Sequence, residues 1–206
     1  MSTTTATASV VLPVKPPAVG KSRLAVGTEL RGALAAAFAL DTATVALDTP
    51  GVVGVLVLCD DHRFAAELRA LGCVVVPDPL HGDLNGTLRQ GAAEAVRRWP
   101  DALPVALCAD LPGLAVDDLA AAVAAATDLG APCFVADADG TGTTMYAAPL
   151  AEFAPAFGPG SAAAHAARAS AIPGDLGTLR HDVDDAAALA AAAARGVGPH
   201  TAALLA

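Results

Sequence analysis

Lys15, Lys21 and Arg23 fall within nine residues of one another, in a turn that follows an apolar run and belongs to a chain of formal charge −9. Cations concentrated in this way suit a triphosphate. Gly20-Lys21-Ser22 has the ending of a phosphate-cradling loop, but the full G-x-x-x-x-G-K-[ST] pattern requires glycine where Lys15 stands. Pro16 and Pro17 lack the backbone N–H groups that such a cradle donates. Phosphate binding here is therefore expected from the side chains of Lys15, Lys21 and Arg23.

The acidic candidates lie far downstream. Asp110, in Ala109-Asp110-Leu111-Pro112, directly follows the apolar run 105–108, and a carboxylate at a strand end can hold a metal that bridges phosphate oxygens. Asp182, Asp184 and Asp185 crowd three carboxylates into four residues, a repulsion that a cation such as Mg²⁺ relieves. In a strand Asp182 and Asp184 would face the same side, whereas Asp185 is placed to cap the helix that follows.

Two glycine-bearing turns offer groups for a small anion. The first is 139–144, with Thr143 and Thr144 at its end; the second is 157–161, with Gly158 and Ser161. Ser161 either contributes to an anion site at the start of a helix or merely caps that helix. Asp83 or Asn85 is expected to cap another helix or to hydrogen-bond a purine edge. His62, His165 and His200 are scattered without metal-ligand spacing and are given no role.

Short β-branched runs must position these groups. They cover 9–14, 52–59, 73–76, 105–108 and 133–135, with two further strands expected at 143–148 and 178–183. Several are apolar at consecutive positions, the pattern of strands buried on both faces. Helices are expected at 29–47, 62–71, 84–99, 116–129, 161–170 and 185–195, each rich in alanine, leucine or charged helix formers. The alternation reads as one α/β domain with a mixed, mostly parallel sheet and helices on both faces, the strand at 143–148 being the candidate for antiparallel pairing. Ligands of such sheets bind beyond the carboxyl ends of the strands, where the residues named above fall. Residues 1–7 and 197–206 are expected to be loose.

Composition narrows the partners. With 12 basic and 21 acidic residues, the chain is a poor match for nucleic acid. Its hydrophobic fraction of 54% comes from alanine-rich segments broken by charge, so no membrane span is expected. The N-terminus lacks the basic start of a signal peptide, and a cytoplasmic location is the expectation. Cys59, Cys73, Cys108 and Cys133 stand singly in apolar runs and read as reduced core residues.

Taken in order, LPVK (12–15), GKSRL (20–24), LN..L (84–88), ADLP (109–112), GTGTT (140–144), FGPGS (157–161) and DVD (182–184) resemble the guanylyltransferases of deazaflavin coenzyme F420 biosynthesis. The resemblance spans nearly the whole chain, and GTGTT with FGPGS at this spacing is its most specific part. It implies a fold similar to the nucleoside-diphospho-sugar transferases, with Mg²⁺ as cofactor and GTP as donor. The implied acceptor is a small phosphorylated three-carbon acid, phosphoenolpyruvate or 2-phospho-L-lactate, and a functional link to the next transferase of the pathway is implied as well. By the same resemblance Thr143, with Thr144 beside it, Gly158 and Ser161 bind the acceptor. Asp110 with Asp182 or Asp184 holds metal; on the residues alone, Lys15, Lys21, Arg23 and Asn85 are expected to serve the nucleotide. A P-loop-like kinase, releasing GDP or ADP, and a non-catalytic nucleotide-binding module are the competing classes.

Overall fold

The structure, a computed structural model, describes residues 7–14, 27–78, 80 and 82–206. The strands are β1 (Thr7–Pro13), β2 (Val52–Leu58), β3 (Val74–Val76), β4 (Ala102–Leu107), β5 (Cys133–Ala136), β6 (Thr143–Ala147) and β7 (Ser170–Ala171). They form a sheet of order β3-β2-β1-β4-β6-β5-β7. β1 pairs in parallel with β2 and β4, β2 with β3, and β5 with β7, while β6 is antiparallel to both β4 and β5. This is the mixed, mostly parallel α/β sheet that the sequence predicts.

The consecutive apolar positions are used as expected. In β1, Val10 and Leu12 enter a core beneath helices α1 (Thr28–Asp48), α2 (His62–Leu71) and α4 (Val116–Leu129), while Val11 enters the opposite core under α3 (Leu84–Arg98). Gly91 lets α3 lie close to the sheet, because a Cβ there would stand 2.7 Å from both Leu58 and Val11 side chains. Both α2 and α4 have the bounds predicted. Asp61 accepts from the N–H groups of Arg63 and Phe64 to start α2, and left-handed Gly72 and Gly130 stop the two helices.

Three expectations fail. The helix expected at 161–170 stops early: α5 covers Ser161–Ala166, and Ser170 instead joins the sheet beside Cys133. Residues 178–183 form no strand. Thr178 is drawn to the start of α4, where Asp118 accepts from both its N–H and its hydroxyl, and Leu179 and Arg180 turn back to the carbonyl of Leu176. The tail expected to be loose beyond residue 197 carries helix α7 (Pro199–Leu205), which follows α6 (Ala186–Arg195) and packs on α1.

Helix α1 also departs from the reading that no span is long and apolar enough to cross a membrane. Its 21 residues meet that test by length and composition, yet half of its apolar window is buried within the fold, and it packs on α2, α4, α7 and β2. The four cysteines are free thiols; Cys108 is half-buried and the other three are core residues.

Candidate functional site

The carboxyl edge of the sheet collects the candidates. β4 ends at Leu107, and the N–H of Cys108 still donates to the carbonyl of Thr144 at 2.8 Å, which carries the chain in register up to Asp110. The loop then turns. The N–H of Leu111 donates to the Thr42 hydroxyl at 3.2 Å, and the carbonyl of Pro112 accepts from Gly198 N–H at 2.8 Å. Val183 N–H donates to the Asp110 carbonyl at 2.9 Å, which clips the 182–184 segment onto this loop. As a result one carboxylate oxygen from each of Asp110, Asp182 and Asp184 lies within 4.8 Å of the others. Asp182 and Asp184 do meet Asp110, but on an irregular segment, not on the strand expected there. Asp185 stands outside the group and caps α6, accepting from Ala188 N–H at 2.8 Å.

Three carboxylates brought this close form a concentration of negative charge that a divalent cation can bridge. Their donor atoms are all hard oxygens, with no sulfur or imidazole among them, the set that suits Mg²⁺ or Ca²⁺ and not a thiophilic metal. Asp110 and Asp182 are half-buried and Asp184 is exposed, so the cluster opens to solvent on one side.

Because β6 is antiparallel, its first residue, Thr143, arrives at the same edge at which β4 and β5 end. The pairing of β5 with β6 is irregular here: Val135 faces Met145, but Ala136 faces Thr143, leaving Thr144 as the extra residue of a bulge. Strict alternation would put Thr143 on the Met145 face. The bulge turns it instead to the Tyr146 face, where its hydroxyl lies 2.9 Å from Nδ1 of His165. Thr144 points to the carbonyl of Val135, a long contact of 3.5 Å. The loop before β6 is held by Asp137, whose carboxylate accepts from the N–H groups of Thr141 and Gly142 at 2.9 and 2.7 Å.

The second turn docks against the first. Ala162 N–H donates to the Thr141 carbonyl at 3.2 Å. Gly158 and Gly160 adopt φ of +138° and +70°, a backbone that glycine tolerates and other residues resist. Gly160 is the N-cap residue of α5 and Ser161 the first residue within the helix, so Ser161 does not stand at the capping position. Asn85, expected at a purine edge, is engaged within the fold. Its amide donates to the Phe157 carbonyl at 3.0 Å and accepts from Phe157 N–H at 2.8 Å, fixing the start of the FGPGS turn to α3. Asp83 caps α3 through Gly86 N–H at 2.9 Å.

His165, given no role from sequence, is the hub of this region. It is fully buried, stacks on Tyr146 at 4.7 Å between ring centroids, and meets Phe134 and Phe157. Burial, with Arg168 nearby, pushes its pKa down to about 4. Its folded pKa lies below the ordinary 6.5, so an unfolded chain takes up a proton below pH 6.5 that the folded one refuses. Stability should thus be flat above pH 7 and fall between pH 6.5 and 4, by up to about 3 kcal/mol from this group. Thermal melts of the wild type and of His165→Asn across this range should show a smaller acid loss in the variant.

Lys15, Lys21 and Arg23 lie outside the described residues. The chain enters that segment from Pro13, the end of β1, at the edge that carries Asp110 and Thr143. Sequence reading missed His165 and the bulge; its one available signal was the spacing from Ser161 to His165, one helical turn, which puts both residues on the same face of α5.

No protein-family model matches the chain. It is 51% identical over 203 residues to the phosphoenolpyruvate guanylyltransferase of Thermomonospora curvata, covering 96% of this chain and 88% of that protein. It is 45% identical to the protein of the same name in Streptomyces coelicolor, covering 96% and 95%, and 44% identical to that of Geodermatophilus obscurus, covering 96% and 93%. Among solved structures, a 4-diphosphocytidyl-2C-methyl-D-erythritol synthase superposes with a TM-score of 0.59 over 97% of both chains at 13% identity. A protein described as a nucleotide-diphospho-sugar transferase, from Desulfovibrio desulfuricans, gives 0.58 over 73% of this chain and 66% of its own, at 18% identity. These structures share the fold.

Proposed function

The chain belongs to the phosphoenolpyruvate guanylyltransferase family, and from that premise we propose that it transfers GMP from GTP to phosphoenolpyruvate as a step of coenzyme F420 biosynthesis. The products are enolpyruvyl-diphospho-5′-guanosine and pyrophosphate. A phosphate oxygen of the acceptor forms a bond to the α-phosphorus of GTP. The bond from that phosphorus to the α,β-bridging oxygen breaks, and its electron pair leaves with pyrophosphate.

The observation that carries this reading is the meeting of Asp110, Asp182 and Asp184 at the sheet edge to which Thr143 is also delivered. The acceptor is already an anionic nucleophile, so no general base is required and the protein's work is alignment and charge neutralisation. Thr143, Gly158 and Ser161 are assigned to the acceptor, with Thr144 turned into the sheet beside them. Lys15, Lys21 and Arg23 are assigned to the triphosphate. Asp110, Asp182 and Asp184 are assigned to Mg²⁺, which when bound supplies positive charge against the phosphate oxygens. Chelation by EDTA should abolish pyrophosphate release, and added Mg²⁺ should restore it.

The reading is tested by pyrophosphate release from GTP with phosphoenolpyruvate, with 2-phospho-L-lactate and without acceptor, the pathway's next transferase and its deazaflavin substrate being present to draw the reaction forward. Release dependent on phosphoenolpyruvate is expected. Preference for 2-phospho-L-lactate would change the acceptor and keep the chemistry, while GDP formation, or GTP binding without pyrophosphate, would return the protein to the kinase or binding-module class.

A further inference from the structure

We infer that His165 is a positioning residue that fixes the Thr143 hydroxyl as a hydrogen-bond donor aimed at the anionic acceptor. The inference rests on the assignment of Thr143 to acceptor binding. Its basis is a chain of hydrogen bonds whose direction can be worked out from one end.

The chain starts at a backbone amide. The N–H of Ala156 can only donate, and it lies 2.8 Å from Nε2 of His165. Nε2 must therefore be the unprotonated nitrogen. The ring is sealed among Tyr146, Phe134 and Phe157 and is fully buried, which disfavours the doubly protonated cation. The single ring proton is thus on Nδ1, which lies 2.9 Å from Thr143 Oγ1 and also has the Ser161 backbone carbonyl as an acceptor, so Nδ1 cannot accept a bond from Thr143. The hydrogen of the Thr143 hydroxyl must go elsewhere. Among the described residues nothing accepts it.

The polarity matters for the ligand. A phosphorylated carboxylic acid that is fully ionised presents oxygen acceptors and no donors, so a hydroxyl helps it only when the hydrogen points outward. With the opposite tautomer, Thr143 would donate into the ring and turn its lone pairs on the anion. The same imidazole also ties the two acceptor turns together: Ala156 precedes FGPGS, Thr143 ends GTGTT, and His165 sits one helical turn after Ser161. The bulge at Thr144 gains a purpose, since it brings Thr143 to the face that His165 occupies.

The test uses two variants that each keep one half of the ring's hydrogen bonding. The side-chain amide of asparagine can stand where Nδ1 stands and still donate to Thr143, while glutamine reaches the position of Nε2 and keeps the bond from Ala156 but loses the one to Thr143. Each removes one buried hydrogen bond, so both should melt earlier than the wild type. In steady-state kinetics of the full chain, His165→Gln should raise KM for phosphoenolpyruvate by about tenfold, the size of one lost hydrogen bond to a charged ligand. His165→Asn should leave it within about threefold, and both should leave KM for GTP within about twofold, since uniform damage would move both substrates alike. An equal rise in both variants, a parallel rise in KM for GTP, or no rise in His165→Gln would overturn the inference. Thr143→Val separates the underlying assignment: if it leaves KM for phosphoenolpyruvate unchanged, that assignment fails, whereas a raised KM in Thr143→Val beside an inert His165→Gln sinks the role of His165 alone. Should neither histidine variant fold, long-range ¹H–¹⁵N spectra of the wild-type ring decide: a proton on Nδ1 is expected, and a proton on Nε2 would overturn the inference.

Discussion

Asp110→Asn is expected to lower kcat by about a thousandfold or more while leaving the melting temperature within a few degrees of the wild type. The side chain is isosteric, and the bond that clips the 182–184 segment in place uses the Asp110 backbone carbonyl, which the substitution does not touch. What changes is charge. The fold places one carboxylate oxygen from each of three aspartates within 4.8 Å of the others, a concentration of negative charge that suits a divalent cation. Asparagine keeps the shape of the side chain and the backbone bond to Val183, so the fold should persist, whereas the metal loses a ligand and a negative charge. The stabilisation gained on adding Mg²⁺, read as a shift in melting temperature, should shrink with the activity. Near-wild-type turnover in Asp110→Asn would remove this residue from the centre, and a large loss of stability would recast it as a structural group.

The second large effect concerns stability and comes from a residue assigned to no ligand. Asp41 is buried in the middle of α1, and its two carboxylate oxygens accept from the N–H groups of His200 and Thr201 at 3.0 and 2.9 Å. It acts as the cap of α7 from across the chain, and the negative charge also meets the positive end of that helix. Gly198 is required beside it, since a Cβ there would stand 2.3 Å from Asp41 Cγ. Asp41→Ala removes two charge-assisted bonds and strands two donors, a cost of about 3 kcal/mol. For a chain of this size that corresponds to a fall of roughly 10 °C in melting temperature. Because Gly198 N–H also holds the carbonyl of Pro112, in the loop that carries Asp110, kcat should fall by up to about tenfold, far less than in Asp110→Asn. A melting temperature unchanged in Asp41→Ala would show that α7 is held by other contacts.

These two residues also mark how far the sequence can be read. The strands β1 to β6 were legible where burial leaves runs of apolar residues, as in Val10, Val11 and Leu12, whereas the exposed two-residue β7 carries no such run. The bounds of α2 and α4 were legible because local chemistry writes them, with an aspartate cap or a left-handed glycine. The convergence of Asp110 with the DVD segment was legible in outcome but not in its means. Residues 178–183 have strand-like composition, yet their ladder positions are lost to Asp118 and Leu176, partners that no local pattern reveals. The tail was misread for the same reason. The cap of α7 lies about 160 residues upstream, so 197–206 contains no sign of its own docking. Thr143 was named for its place in the GTGTT string, but the bulge that aims it and the histidine that orients it are tertiary facts. The bonds by which the Asn85 amide holds Phe157 are likewise tertiary and left no mark in the local sequence.

The proposed active site draws on five stretches of chain: the segment bearing Lys15, Lys21 and Arg23, the Asp110 loop, the two glycine turns and the DVD segment. A crystal structure of the full chain with Mn²⁺, a non-hydrolysable GTP analogue and phosphoenolpyruvate tests it most directly, since Mn²⁺ can be located by its anomalous scattering. The expected result is metal bound by Asp110 with Asp182 and Asp184, the acceptor on Thr143, Gly158 and Ser161, and its phosphate facing the α-phosphorus of the analogue. Metal elsewhere, or an acceptor bound away from the Thr143 hydroxyl, would contradict the account.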